Sequence, residues 1–91
     1  MVSLLAHRAI IENLGPADGN VRAVAGPKGE FAISWTSTGH TLGVGNDGAG
    51  HYGAVTNVLG PFLGFDSNGL VVSVYSNPSG QPTLQHYAIS P

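Results

Sequence analysis

Short apolar or β-branched runs alternate with polar turns along most of the chain. The turns contain glycine, often beside Asn, Asp or Pro, and lie at residues 15–20, 25–30, 36–40, 45–50, 59–61, 66–69 and 77–82. These residue types supply positive φ or a fixed φ where a chain reverses direction. Strands that recur every ~8–12 residues are typical of an all-β sandwich or barrel, not of alternating β and α units. We therefore predict an all-β fold, a small antiparallel sandwich or barrel of about seven or eight short strands, in a single domain spanning residues 1–91.

Period-2 alternation within the runs indicates which side chains share a face of a sheet. In the segment 31–35, Phe31, Ile33 and Trp35 point one way. In the segment 70–76, Val72 and Val74 share a face, with Ser73 opposite. This alternation predicts sheets with one covered face.

Residues 1–14 have two interpretations. Val2, Leu5 and Ala9 belong to an apolar stripe at helical spacing, and Gly15-Pro16 would end such a helix. The runs 9–14 and 21–25, separated by turn residues, also form a β-hairpin pattern. We favour the strand, and we expect residues 1–14 to act as an N-terminal docking arm or edge strand.

The sequence contains a weak internal similarity. The segment 29–42 and the segment 69–84 both have a glycine, an apolar strand ending in an aromatic residue, a polar turn and then Thr-Leu. Their starts are forty residues apart. A duplicated hairpin and a chance likeness between two hairpins both explain this, and two copies are too few to predict a repeat array.

Composition points to self-association. Charged residues make up 9% of the chain, and after Glu30 the only formal charges are Asp47 and Asp66. An ordinary soluble domain has roughly 25% charged residues, and a surface near neutrality promotes association. The chain has no cysteine, so a partner subunit is the remaining stabiliser of a small core. We expect a homo-oligomer, with a trimer favoured, that belongs to a larger protein assembly.

Other partners are not expected. Three Lys and Arg residues cannot supply the basic stripe that a phosphate backbone requires. No apolar run of ~18 residues exists, so we predict no membrane span. The N-terminal apolar stretch is interrupted by His7, Arg8 and Glu12 and does not have the pattern of a signal peptide.

The stretch 43–48 reads GVGNDG and fits the dinucleotide fingerprint G-x-G-x-x-G. That fingerprint requires a helix opening at the third glycine, because the helix amides bind the pyrophosphate. Residues 49–65 contain Pro61 and four more glycines, which oppose a helix. We therefore interpret the match as a glycine-rich hairpin tip and predict no nucleotide cofactor.

No catalytic or metal-ligating pattern stands out. The four histidines lack local zinc-ligand spacing, and His40 and His51 are the pair that would approach each other across a hairpin. Asp47 and Asp66 are more simply explained as turn residues than as a carboxylate pair. We predict no enzyme activity, no metal and no cofactor.

Two functions follow as hypotheses. The first is a non-enzymatic structural protein, such as a capsid-decorating or tail-associated component of a viral or phage particle, which would place it on the virion. The alternative is a small module that binds a carbohydrate or another ligand, because exposed rings beside neutral polar groups suit sugars. The candidate ligand-binding residues are Trp35, His40, Asn46, Asp47, His51 and Tyr52.

Overall fold

The structure, a computed structural model, describes residues 12–89, and these residues form two antiparallel sheets. This confirms the predicted all-β class and is consistent with a small sandwich. Both sheets are meanders, in which each strand pairs with the strand before it. The first sheet contains β1 (Gly19–Ala25), β2 (Phe31–Ser37), β3 (His40–Asn46) and β4 (Thr56–Val58), and the second contains β5 (Phe62–Phe65), β6 (Val71–Ser76) and β7 (Pro82–Tyr87).

The core lies where the two sheets face each other. Its centre is formed by Ala32 of β2, Phe62 of β5 and Val71 of β6. Partly buried side chains surround this centre: Val24, Val58, Phe65, Tyr87 and Ile89. Burial of these apolar side chains is the main favourable contribution to folding.

Phe62 joins the two sheets through both its backbone and its side chain. Its backbone N–H donates to the buried hydroxyl of Ser34 at 3.1 Å, and its carbonyl accepts a bond from Arg22 Nε at 2.9 Å. Its ring lies over Gly43, where a Cβ atom would come within 2.5 Å of Phe62 Cζ. Glycine at this strand position is therefore required by the packing of a ring and not by backbone conformation.

The alternation predicted within the strands is present, but the sheets meet through the opposite faces. Ala32 and Ser34 of β2 point towards the second sheet, so Phe31, Ile33 and Trp35 share the face turned away from it. On β6, the alternation places Val71 and Ser73 at the interface and Val72 on the outer face. The interface uses small residues because they leave room for the ring of Phe62.

The structure covers only part of the segment for which the sequence predicted a strand or a helix at the N-terminus. The segment 21–25 is a strand, as predicted, but it belongs to β1 and pairs with β2. Residues 12–18 form no strand, so the hairpin predicted between 9–14 and 21–25 is not found in the part of it that the structure describes. Residues 1–11 lie outside the described residues, and with them the choice between helix and strand.

The internal similarity corresponds to a structural repeat. The pairs Ala25–Phe31 and Phe65–Val71, forty positions apart, start the same antiparallel register. In the third strand the offset is 41, since Asn46 pairs with Phe31 and Tyr87 pairs with Val71. We call residues 19–46 the first unit and residues 62–87 the second unit. The first unit is followed by β4, which pairs with β3.

Candidate functional site

The polar residues are concentrated in hairpin loops that share one design. Four loops, at 26–30, 47–51, 66–70 and 77–81, close through a bond from the N–H of the first residue to the carbonyl of the fifth, at 2.7–3.1 Å. The fourth residue of each loop is a glycine with φ between +79° and +94°: Gly29, Gly50, Gly69 and Gly80. Glycine is favoured there because it adopts positive φ without a Cβ clash.

Asp47 organises the loop at 47–51, next to the predicted ligand site. Its Oδ1 accepts bonds from the N–H groups of Ala49 at 2.8 Å and His51 at 3.1 Å. Its Oδ2 lies 2.8 Å from His51 Nδ1. These bonds, first that from the Ala49 N–H and then that with the His51 ring, hold the pKa of the Asp47 carboxyl below its ordinary value.

Asp66 has the same role in the loop at 66–70. Its Oδ1 accepts the N–H groups of Asn68 at 2.8 Å and Leu70 at 3.0 Å, while its Oδ2 lies 2.7 Å from Nδ1 of His86 on β7. The Leu70 N–H is the largest cause of a lowered pKa at Asp66, and the His86 ring adds to it. Both carboxylates are therefore turn residues, as the sequence indicated, and each is also bonded to a histidine.

Sequence reasoning missed the pairing of Asp66 with His86. The two residues are twenty positions apart and meet only because β6 brings β7 back beside the loop. The short spacing of Asp47 and His51 within one turn was a signal that could have been used. No comparable signal exists for the second pair.

A third carboxylate fixes the hairpin between β2 and β3. Asp18 accepts bonds from the Thr36 hydroxyl at 2.8 Å and from the Thr38 N–H at 2.9 Å. The Thr36 hydroxyl is the largest cause of a lowered pKa at Asp18. Thr38 has φ of +50°, a conformation rare for a β-branched residue, so this bond stabilises a strained turn.

The aromatic residues of the predicted ligand site are mostly engaged in packing. Trp35 is 3% exposed, so its ring is not available as a platform for a sugar. Asn46 is also buried, and its Oδ1 accepts the N–H of Gly48 at 2.9 Å. Tyr52 makes an edge-to-face contact with Phe31 at 6.0 Å between ring centroids. The ring of Trp35 therefore serves packing.

The structure does not bring His40 and His51 together. His40 begins β3, whereas His51 ends the loop 47–51, which follows Asn46, the last residue of that strand. Six residue steps of strand separate these ends, which corresponds to roughly 20 Å. The expectation that the two imidazoles approach each other is wrong. The strand that returns beside β3 pairs Val58 with Thr41, so residues near 58, and not His51, lie opposite the start of β3. Asp47, His51 and Tyr52 remain close to one another.

The fingerprint-like glycines have structural roles. Gly43 and Gly45 lie within β3, where Phe62 and Ile89 occupy the space that side chains would fill. Gly48, at φ of +85°, lies against the backbone of Gly29. Across residues 12–89 no helix follows these glycines, so the arrangement that binds a pyrophosphate is not formed there.

The gap between the sheets continues into a cleft of about 320 Å³ that is open to solvent. Its walls are mainly glycine and apolar residues from β3, β4 and the end of β7. Within the described part of the chain, no group of three or more His, Cys, Asp or Glu side chains is arranged to hold a metal ion. No helix there has the length and hydrophobicity to cross a membrane.

Comparison of the chain with protein-family models, with curated proteins and with solved structures finds no match.

Proposed function

We propose that this protein is a non-enzymatic structural protein that works as a homo-oligomer within a larger assembly, such as a viral or phage particle. The observation that supports this proposal most strongly is apolar exposure on a body that has almost no charge. Five large apolar side chains have 45–65% of their surface exposed: Val21, Val55, Leu59, Leu63 and Leu84. Beyond residue 30, the two carboxylates are both bonded within their own loops.

These features favour association between like surfaces. Charge is what normally keeps small proteins apart in solution, and exposed leucines gain free energy when another surface covers them. The first residues of three loops, Asp47, Asp66 and Asn77, already accept bonds from their own backbone, so these side chains serve the fold. Assembly through strands and apolar side chains fits this distribution better than recognition of a polar molecule.

The carbohydrate alternative has weaker support. It relied on Trp35 as an exposed ring, and that ring is buried. A ligand would have to use Tyr52, with Asp47 and His51 of the neighbouring loop, and the two latter side chains bond each other.

The solution mass of the full chain, measured by light scattering across a hundredfold range of concentration at neutral pH, tests the proposed function. We expect a discrete oligomer that dissociates only on dilution. A monomer at every concentration would contradict the proposal, and a ligand screen around Tyr52 would then be the next experiment.

A further inference from the structure

We propose that the outer edge of β7 is the self-association site, where it pairs antiparallel with β7 of a second copy. This inference rests on the proposed homo-oligomer and names its contact. The two second sheets would then form one continuous sheet of six strands, with the strand order β5-β6-β7-β7-β6-β5.

The comparison of the two units shows that β7 lacks a neighbour that its counterpart has. In the first unit, Thr41, Leu42 and Gly43 of β3 pair with β4. The offset of 41 makes Pro82, Thr83 and Leu84 the equivalent positions in β7. In the described part of the chain no strand pairs with this edge. An edge strand leaves a row of backbone N–H and C=O groups that a further strand can satisfy.

The other edges are less suited to accept a strand. β4 has three residues and β5 has four. β1 is longer, but it contains Arg22 and has an irregular register between Gly19 and Arg22. Charges, irregular pairing and short length are the features that protect natural edges. β7 has six residues, none with a formal charge, and its proline is at the first position, where a strand tolerates it.

A second copy of the same strand is the occupant that the chemistry favours. β7 has no charge to repel its own copy, and Leu84 is 53% exposed. Antiparallel pairing about a two-fold axis would bring the Leu84 side chains of both copies to the same face of the joint sheet. Apolar pairs across neighbouring strands stabilise such a contact. A two-fold contact makes a dimer the smallest unit, which replaces the trimer expected from composition.

Substitution of Leu84 by lysine tests the contact. Leu84→Lys places like charges across the two-fold axis, and we expect it to raise the dimer dissociation constant by about tenfold or more. Val21→Lys is the control, because Val21 is also exposed, at 65% against 53% for Leu84, but lies on β1 in the other sheet and outside the proposed β7 contact. Its dissociation constant should equal that of the wild type. Unchanged urea midpoints of diluted monomers would show that both variants fold.

Cysteine scanning gives an independent measurement, because the chain has no cysteine of its own. Single cysteines at positions 83–86 should form an intermolecular disulfide with a maximum at one position, and Val21→Cys should form none. An oligomer that survives Leu84→Lys and gives no β7 cross-link would overturn the β7 contact and leave the proposed function intact. That result is expected if the copies associate through another edge, or if residues of the same chain cover the edge of β7. A wild-type monomer would overturn both proposals.

Discussion

The two units have the same register and the same loop between their first two strands, yet they present opposite surfaces to the rest of the molecule. Positions 32 and 72 are equivalent, but Ala32 faces the second sheet whereas Val72 points away from the first. The units therefore stack as successive members of a series, in which equivalent faces do not meet. A two-fold arrangement within the chain would have placed the same face of each unit at the interface.

The glycines of β3 make room for the side chains that pack against the first unit. Gly43 and Gly45 receive Phe62 and Ile89, whereas the equivalent positions of the second unit carry the side chains of Leu84 and His86. The third strands of the two units therefore differ in packing, because β3 presents glycines to the neighbouring sheet and β7 carries larger side chains at the same positions.

The largest effect is expected where a side chain is added at a glycine of the first unit. Gly43→Ala places a Cβ atom 2.5 Å from Phe62 Cζ and 3.2 Å from Val58 Cγ1, so the buried ring must move. Overpacking of this kind costs about 1–3 kcal/mol. We expect a loss of that size in the free energy of unfolding, measured by urea denaturation.

Gly64→Ala in the second unit is the matched control for that variant. Gly64 is equivalent to Val24, its φ lies outside the left-handed region that favours glycine, and a Cβ atom there meets nothing within 4 Å. We expect the free energy of unfolding to stay unchanged or to rise by up to ~1 kcal/mol, because alanine restricts the unfolded chain. Equal losses in Gly43→Ala and Gly64→Ala would contradict this expectation, because they would show that glycine serves the backbone in both units.

The sequence was sufficient for the fold class and insufficient for the way the units pack. Alternation and glycine turns predicted the strands, because both signals are local. The face at the interface was not predictable, since Phe31, Ile33 and Trp35 are the larger apolar residues of β2 while Ala32 and Ser34 form the contact. That preference depends on Phe62, which comes from a distant strand. The contact between His86 and Asp66 was also not predictable, because the two residues are twenty positions apart and meet only through the pairing of β6 with β7.

Two buried serines at the interface between the sheets differ in their hydrogen bonding. Ser34 and Ser73 are both 0% exposed, but Ser34 accepts the Phe62 N–H, whereas the Ser73 hydroxyl has no hydrogen-bond partner among the described residues. Ser34→Ala leaves a buried N–H unsatisfied and should destabilise the protein by about 1–2 kcal/mol. Ser73→Ala removes an unbonded polar atom and should be neutral or stabilising. Urea denaturation of both variants measures the difference, and a larger loss for Ser73→Ala would contradict this account of the interface.

A smaller effect is expected in the five-residue loops, two of which lie in the second unit, at 66–70 and 77–81. In three of the four loops the first residue is Asp47, Asp66 or Asn77, and it accepts the same two backbone bonds. Asn77 shows that an amide is sufficient for the turn. Asp66→Asn should therefore keep the loop at neutral pH and lose only the charge beside His86.

The pH dependence of the free energy of unfolding in acid distinguishes the contribution of the Asp66 charge from that of the turn geometry. The backbone N–H of Leu70, as the largest cause, lowers the pKa of folded Asp66 below its ordinary value of 3.8. A carboxyl with a lowered folded pKa stabilises the protein above its unfolded pKa, and this stability is lost as the pH falls through the folded value. Between pH 5 and pH 3, the free energy of unfolding should therefore fall less in Asp66→Asn than in the wild type. Urea denaturation across this range measures the two slopes, and parallel slopes would show that Asp66 contributes through turn geometry alone, as Asn77 does.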